Sequence, residues 1–210
     1  TAGGGYDTYG RMFARHFGAS VPGNPTVIPQ NLPGAGGLVS VNTIYNTAPK
    51  DGTALATFNR GIPLDPLTKE SKSARFDALK LNWIGSLNRE STVIWSSGKS
   101  GIKTAGDLFT KTMIVGVTGS TAESALYATL FNNVLGTKLK IISGYPGSDD
   151  INLATQRGEL TGGVSSWSTI VSRRAADLKS GEILPLVQIS LDKIDGLPDP
   201  KIPLVTSLAK

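Results

Sequence analysis

An α/β doubly wound architecture with mainly parallel strands is the fold class the sequence predicts, on three observations. Strand-like apolar runs alternate with helix-like periodic stretches, separated by short loops rich in Gly, Ser or Pro. Glycine accounts for 25 of the 210 residues, above the usual share of about 7%, as many tight turns would require. Apolar residues make up 39% of the chain, enough for a folded core at this length.

The elements follow in order. Tyr9, Met12, Phe13 and Phe17 fall at i, i+3, i+4 and i+8, one stripe of a helix from near Asp7 to near Gly18. Val27 and Ile28 form a short extended run between Pro25 and Pro29, which places it at a sheet edge. Gly34-Ala35-Gly36-Gly37 opens a second helix that carries Leu38, Val41 and Tyr45 and stops at Pro49. Asp51-Gly52 is a turn, and residues 53–58 and 83–87 have strand patterning.

The second half keeps this rhythm more clearly. Residues 113–117 are a buried strand. Ser120-Thr121-Ala122-Glu123 has capping-box spacing ahead of a helix that buries Leu126, Leu130 and Val134 and stops at Gly136. A strand at 139–142 precedes a helix with Asp149 and Asp150 in its first turn, where the helix dipole favours negative charge. A strand at 160–164 leads to a helix with Trp167, Ile170, Val171 and Leu178 inward, and 183–189 closes the series. The extended runs 91–97 and 184–190 bracket this unit, as crossover strands at a hinge between two lobes would.

Composition excludes several kinds of chemistry. With no cysteine, a disulfide scaffold, thiolate catalysis and Cys-ligated zinc are impossible, and one histidine, His16, rules out a multi-His metal site. Residues 17–49 carry no charge, yet their five prolines and five glycines are incompatible with a spanning helix. The net charge of +5 raises nucleic acid as a partner. Its carriers are scattered, with Lys69, Lys72, Arg75 and Lys80 as a loose group and Arg173-Arg174 as a pair, and no aromatic residues are interleaved. A solvated basic face that draws small anions fits better. The opening Thr1-Ala2-Gly3-Gly4-Gly5, without Met, suits a mature or trimmed fragment.

Ligands of open α/β sheets sit where loops enter helices, near unpaired amides and the positive end of the dipole. Residues 3–7, 33–37, 118–121 and 144–148 are such loops, and Ser165-Ser166-Trp167-Ser168 is a fifth. Each also has a plain structural explanation: a frayed end, turn chemistry, a helix cap, and for Trp167 a place in the core. Gly34 and Gly36 begin a dinucleotide fingerprint, but Val39 stands at the third glycine position. No Gly-x-Ser-x-Gly elbow occurs. Arg60, following a strand at Phe58-Asn59, is the one cation that the predicted topology places at a cleft mouth.

Six segments together resemble the substrate-binding receptors of tripartite tricarboxylate transporters, the Bug or TctC proteins. They are Gly3-Gly4-Gly5-Tyr6-Asp7, Asn31-Leu32-Pro33-Gly34-Ala35-Gly36-Gly37, Ala48-Pro49-Lys50-Asp51-Gly52-Thr53, Trp83-Ile84-Gly85-Ser86, Gly144-Tyr145-Pro146-Gly147-Ser148, and Leu197-Pro198-Asp199 with Ile202-Pro203-Leu204. They occur in the family's order and span nearly the whole chain.

The resemblance implies a type II periplasmic binding protein fold of two doubly wound lobes joined by crossover strands, here without the first strand and the C-terminal part. Lobe 1 would hold residues 1–93 and 190–210, and lobe 2 residues 94–189. It implies a periplasmic receptor that captures a small carboxylate, a di- or tricarboxylate or an aromatic acid, by flytrap closure. The receptor would then hand its ligand to a membrane permease, with no catalysis, cofactor or metal. By the resemblance, Gly4, Gly5, Tyr6, Asp7, Thr118, Gly119, Ser120, Thr121, Tyr145, Pro146 and Gly147 would face the ligand; loop placement adds Gly34, Ala35 and Ser166, and Asn59, Arg60, Asn88 and Trp167 are candidates for specificity. The alternatives are an α/β enzyme acting on small acids through Ser120 or Ser166, and the effector-binding domain of a transcription regulator.

Overall fold

The computed structural model of the chain describes residues 2–64, 73–87, 89–120 and 122–209. Thr121, Asn88, Lys69 and Lys72 therefore lie outside the described residues.

Apolar strands that need cover on both sides organise the second half. β1 (Thr92–Ser97), β2 (Met113–Val117), β3 (Leu139–Ser143), β4 (Gly162–Ser166) and β5 (Ile183–Ile189) form one sheet in the order β3-β2-β4-β1-β5. β2 runs parallel to β3 and β4, whereas β1 is antiparallel to both β4 and β5. Four strands thus point one way and β1 the other, which refines the expectation of mainly parallel strands. β1 and β5 lie side by side, with a register shift between Ile94 and Trp95.

Successive side chains of a strand point to opposite faces, and here both faces are covered. Ile94 packs with Ile102, Leu108, Met113, Val115, Phe131, Leu139 and Leu186, while Val93 and Trp95 pack with Trp167, Ile170 and Ile183 on the other side. The covering helices are α3 (Asp107–Thr110), α4 (Glu123–Leu130), α5 (Ser148–Gln156), α6 (Trp167–Arg173) and α7 (Ala175–Ser180). β3 is one edge of the sheet. The β5 edge is bridged by Leu204, and Gln188 is buried there, donating to the Ile202 carbonyl and accepting from the Ile194 amide.

Two expectations for α4 fail. Its N-cap is Ala122, and no side chain caps it. The capping box is not made because the Glu123 carboxylate turns toward distant partners. The buried stripe is Ala125, Ala128 and Phe131, while Leu130 and Val134 are 45% and 70% exposed. A π turn over Phe131–Leu135 widens the helix after α4 and changes the phase of the stripe before Gly136 ends it in the left-handed region. Val171, expected inward, is also exposed.

The first half is organised by helices. α1 (Gly5–Phe17) buries no residue, and Met12 is exposed, so the expected stripe is only lightly covered; Phe13 and Phe17 stack on each other at 4.5 Å. α2 (Leu38–Asn46) buries Leu38 and Val41 against Ile62 and Phe76, as its spacing predicted. Residues 27–28, 53–58 and 83–87 are extended but belong to no ladder among the described residues. A strand is completed only by a neighbour that takes its amides and carbonyls, and these runs leave Ile28 and Trp83 largely exposed. No helix among the described residues is long and apolar enough to cross a membrane.

Candidate functional site

A seam between the helical first half and the sheet-bearing second half gathers most of the predicted residues. α1 begins with Gly4 as its N-cap. A Cβ on Gly3 would lie 3.2 Å from Asp149 Oδ2 at the start of α5, and one on Gly5 would lie 3.3 Å from Thr169 Oγ1 in α6. The 33–37 loop meets the 118–120 loop: a Cβ on Gly119 would lie 2.7 Å from the Gly36 nitrogen and 2.9 Å from the Ala35 carbonyl carbon. Gly34 and Ala35 both have positive φ, which turns the chain sharply into α2.

Between these two meetings lies a polar cluster. The Asn59 side-chain carbonyl accepts from the Gly61 amide at 2.8 Å and from the Glu123 amide at 3.3 Å. Arg60 Nε donates to Glu123 Oε2 at 2.5 Å, and its Nη2 donates to Thr92 Oγ1 at 2.8 Å. The Thr92 hydroxyl donates onward to Glu123 Oε1 at 3.1 Å. The Arg60 amide reaches the Tyr6 hydroxyl at 3.4 Å. Thr92 and Glu123 are buried, and the Arg60 side chain is 36% exposed. Burial, together with the nearby Glu123 charge, raises the pKa of both Tyr6 and Tyr127.

Two helix starts proposed as anion sites are held by the protein's own carboxylates. Asp7 Oδ2 accepts from the Gly3 amide at 2.8 Å and from Arg11 Nε at 2.9 Å, while its Oδ1 accepts from Asn31 Nδ2 at 2.8 Å. The Arg11 hydrogen bond, followed by those of Gly3 and Asn31, holds the Asp7 carboxyl well below the usual carboxylate range. At α6, Glu90 accepts from both the amide and the hydroxyl of Ser168. Ser166 is the half-buried N-cap of that helix.

Tyr145 is half-buried, with its ring edge 3.0 Å from where a Cβ on Gly116 would stand, and its amide donates to the Val117 carbonyl at 3.3 Å. Pro146 is exposed and Gly147 is the buried N-cap of α5. Trp167 departs from the expected specificity role: it is 9% exposed within an apolar cluster, and its indole donates to the Asp195 carbonyl at 3.2 Å. Arg173 pairs with Asp149, and Arg174 pairs with Asp177 and lies over the Trp95 ring at 5.0 Å, so this basic pair is engaged internally.

Sequence reasoning missed Glu123, Thr92 and Glu90 as members of the seam. The spacing assigns Glu123 to a local cap, which conceals a partner 63 residues away.

No protein-family model and no curated protein matches the sequence. Solved structures do. The periplasmic binding protein BugD superposes with a TM-score of 0.81 at 19% identity, over 99% of this chain and 68% of its own. The fold is that of the BugD-type periplasmic binding proteins. Rpa4515 of R. palustris with adipate matches at TM-score 0.80 and 16% identity, over 99% of this chain and 68% of that one. MatC of Rhodopseudomonas palustris with bound malate matches at 0.73 and 16%, over 99% and 69%. In the sheet of this chain the reversed strand β1 lies between β4 and β5 and begins at Thr92, beside the seam.

Proposed function

We propose that the protein is a solute-binding receptor that captures a small carboxylate, a di- or tricarboxylate or an aromatic acid, between two closing lobes without transforming it. One observation carries the proposal: glycine-bearing loops of both halves meet on a single seam, in a fold shared over 99% of the chain with structures holding adipate and malate. The lobes are residues 1–93 and residues 94–189; the 190–210 segment, expected in the first lobe, packs on the second through Ile194, Leu197, Val205 and Leu208. The hinge is formed by the neighbouring strands β1 and β5.

Asp7 and Glu90 already occupy amides at two helix starts. Recognition of an external carboxylate is assigned to the loops that meet at the seam, Thr118, Gly119, Ser120 and Thr121 with Tyr145, Pro146 and Gly147, and to the rim formed by Tyr6, Gly34 and Ala35. Amide and hydroxyl donors to a carboxylate contribute roughly 1.5–3 kcal/mol each. Four of them at the top of that range, about 12 kcal/mol in all, leave the ~8 kcal/mol of micromolar affinity after an ordering cost of about 4 kcal/mol. The bound receptor acts in the periplasm and delivers its ligand to the permease of a tripartite tricarboxylate transporter.

Calorimetry of the protein against adipate, malate, a tricarboxylate and an aromatic acid tests this. One-to-one binding, with the ligand recovered unchanged, is expected for at least one of the four. Silence across the panel, or conversion of the ligand, overturns the proposal.

A further inference from the structure

The Arg60–Glu123–Thr92 cluster joins three parts of the chain that the receptor function requires to move: the loop after the extended run 53–59, the start of α4, and the first residue of the proposed hinge strand β1. Its geometry is closed on itself. Each Glu123 oxygen has a donor, the Thr92 hydroxyl both accepts and donates, and Asn59 ties the Glu123 amide back to the same loop through Gly61.

We propose that Arg60 and Glu123 form a latch that holds the two halves together before any ligand arrives, with Thr92 linking the latch to the hinge. This rests on the two-lobe receptor function proposed above, and it assigns Arg60 to closure and not to contact with the ligand. In a variant that lacks one partner, desolvation drives opening. A half-buried ion pair is close to balanced while both charges are present, but removing one leaves the other charge stranded out of water. Opening the seam rehydrates the stranded group. The latch also bears on affinity, because a receptor already populated in its closed form loses less of its binding free energy to closure.

The absence of cysteine makes a clean test possible. Cysteines at Leu79 and Val134, both strongly exposed and in different halves, carry spin labels for distance measurement on the unliganded protein. In the L79C/V134C background a single short distance is expected. R60M and E123Q should each shift the distribution to longer distances, T92V should do so partially, and the reversed pair R60E/E123R should recover the short distance. For E123Q, a distance distribution unchanged from the parent overturns the latch. E123Q keeps the size and shape of the side chain, so it answers the question even where R60M does not fold. The readout needs no ligand, so failure of the latch and failure of the receptor proposal are separable: the first appears in the distances, the second in the calorimetric panel.

Discussion

Gly119 and Gly36 approach so closely that a Cβ on the former would stand 2.7 Å from the nitrogen of the latter. The obstructing atoms are backbone, so neither loop can yield by turning a side chain. Gly119→Val is therefore expected to wedge the 33–37 and 118–120 loops apart, while leaving the sheet core unaltered. Adipate or malate affinity should fall at least tenfold with little change in the urea midpoint, because the clash lies at the seam and outside the core. Unchanged affinity would show that the loops need not meet in the bound form.

Asp7 gives a pH dependence with a definite sign. Its carboxyl titrates lower in the folded protein than in the unfolded chain. Its stabilisation is then complete above the unfolded value of about 4 and is lost as pH falls through that value toward the folded one. Asp7→Asn should lower the urea midpoint at pH 7, and the gap to the parent should close as pH falls below about 4. A gap that stays constant with pH would mean that charge at this position contributes nothing.

Glu90 caps α6 from outside the helix, through the amide and hydroxyl of Ser168. Loss of a capping carboxylate typically costs about 1 kcal/mol. Glu90→Ala should destabilise the protein by about that amount in chemical denaturation, and amide exchange at Ser168 should quicken first. Exchange that quickens uniformly along α6 and β4 would point to a global effect in place of a lost cap.

Ile94 is fully buried at the centre of the larger apolar cluster. Ile94→Ala is expected to cost about 2–5 kcal/mol, from lost transfer energy plus the cavity left behind. A loss under about 1 kcal/mol, measured by denaturant unfolding, would indicate that the helices on that face collapse into the gap.

The second half was more legible in the sequence than the first, for a physical reason. β2 and β5 lie where the apolar runs placed them, and β4 is displaced by two residues, because each of these runs is buried by helices whose own periodicity is visible. The runs at 53–58 and 83–87 have equally good strand patterning, but a pattern records only what a segment would bury. It does not supply the neighbour that makes a ladder. Phase was the other weakness: α4 buries Ala125, Ala128 and then Phe131, the face next to the one that carries Leu126 and Leu130, and the π turn that follows is not announced by local spacing. At the seam, the glycine-bearing loops were visible as loops. The bond from Arg60 to Glu123 was not, because it joins residues far apart in sequence, and the capping-box spacing offered Glu123 a nearer partner.

β3 has one further consequence, for behaviour in crowded solution. As a terminal strand it presents a row of peptide groups that a second molecule could extend, and Lys140 stands exposed on it, with Lys138 exposed just before it. Like charges meeting across such an encounter repel, and cations on a border strand are a common guard against strand-by-strand aggregation. This guard is electrostatic, so it weakens as added electrolyte shortens the Debye length. Concentrated stocks should scatter less light at low ionic strength than at high.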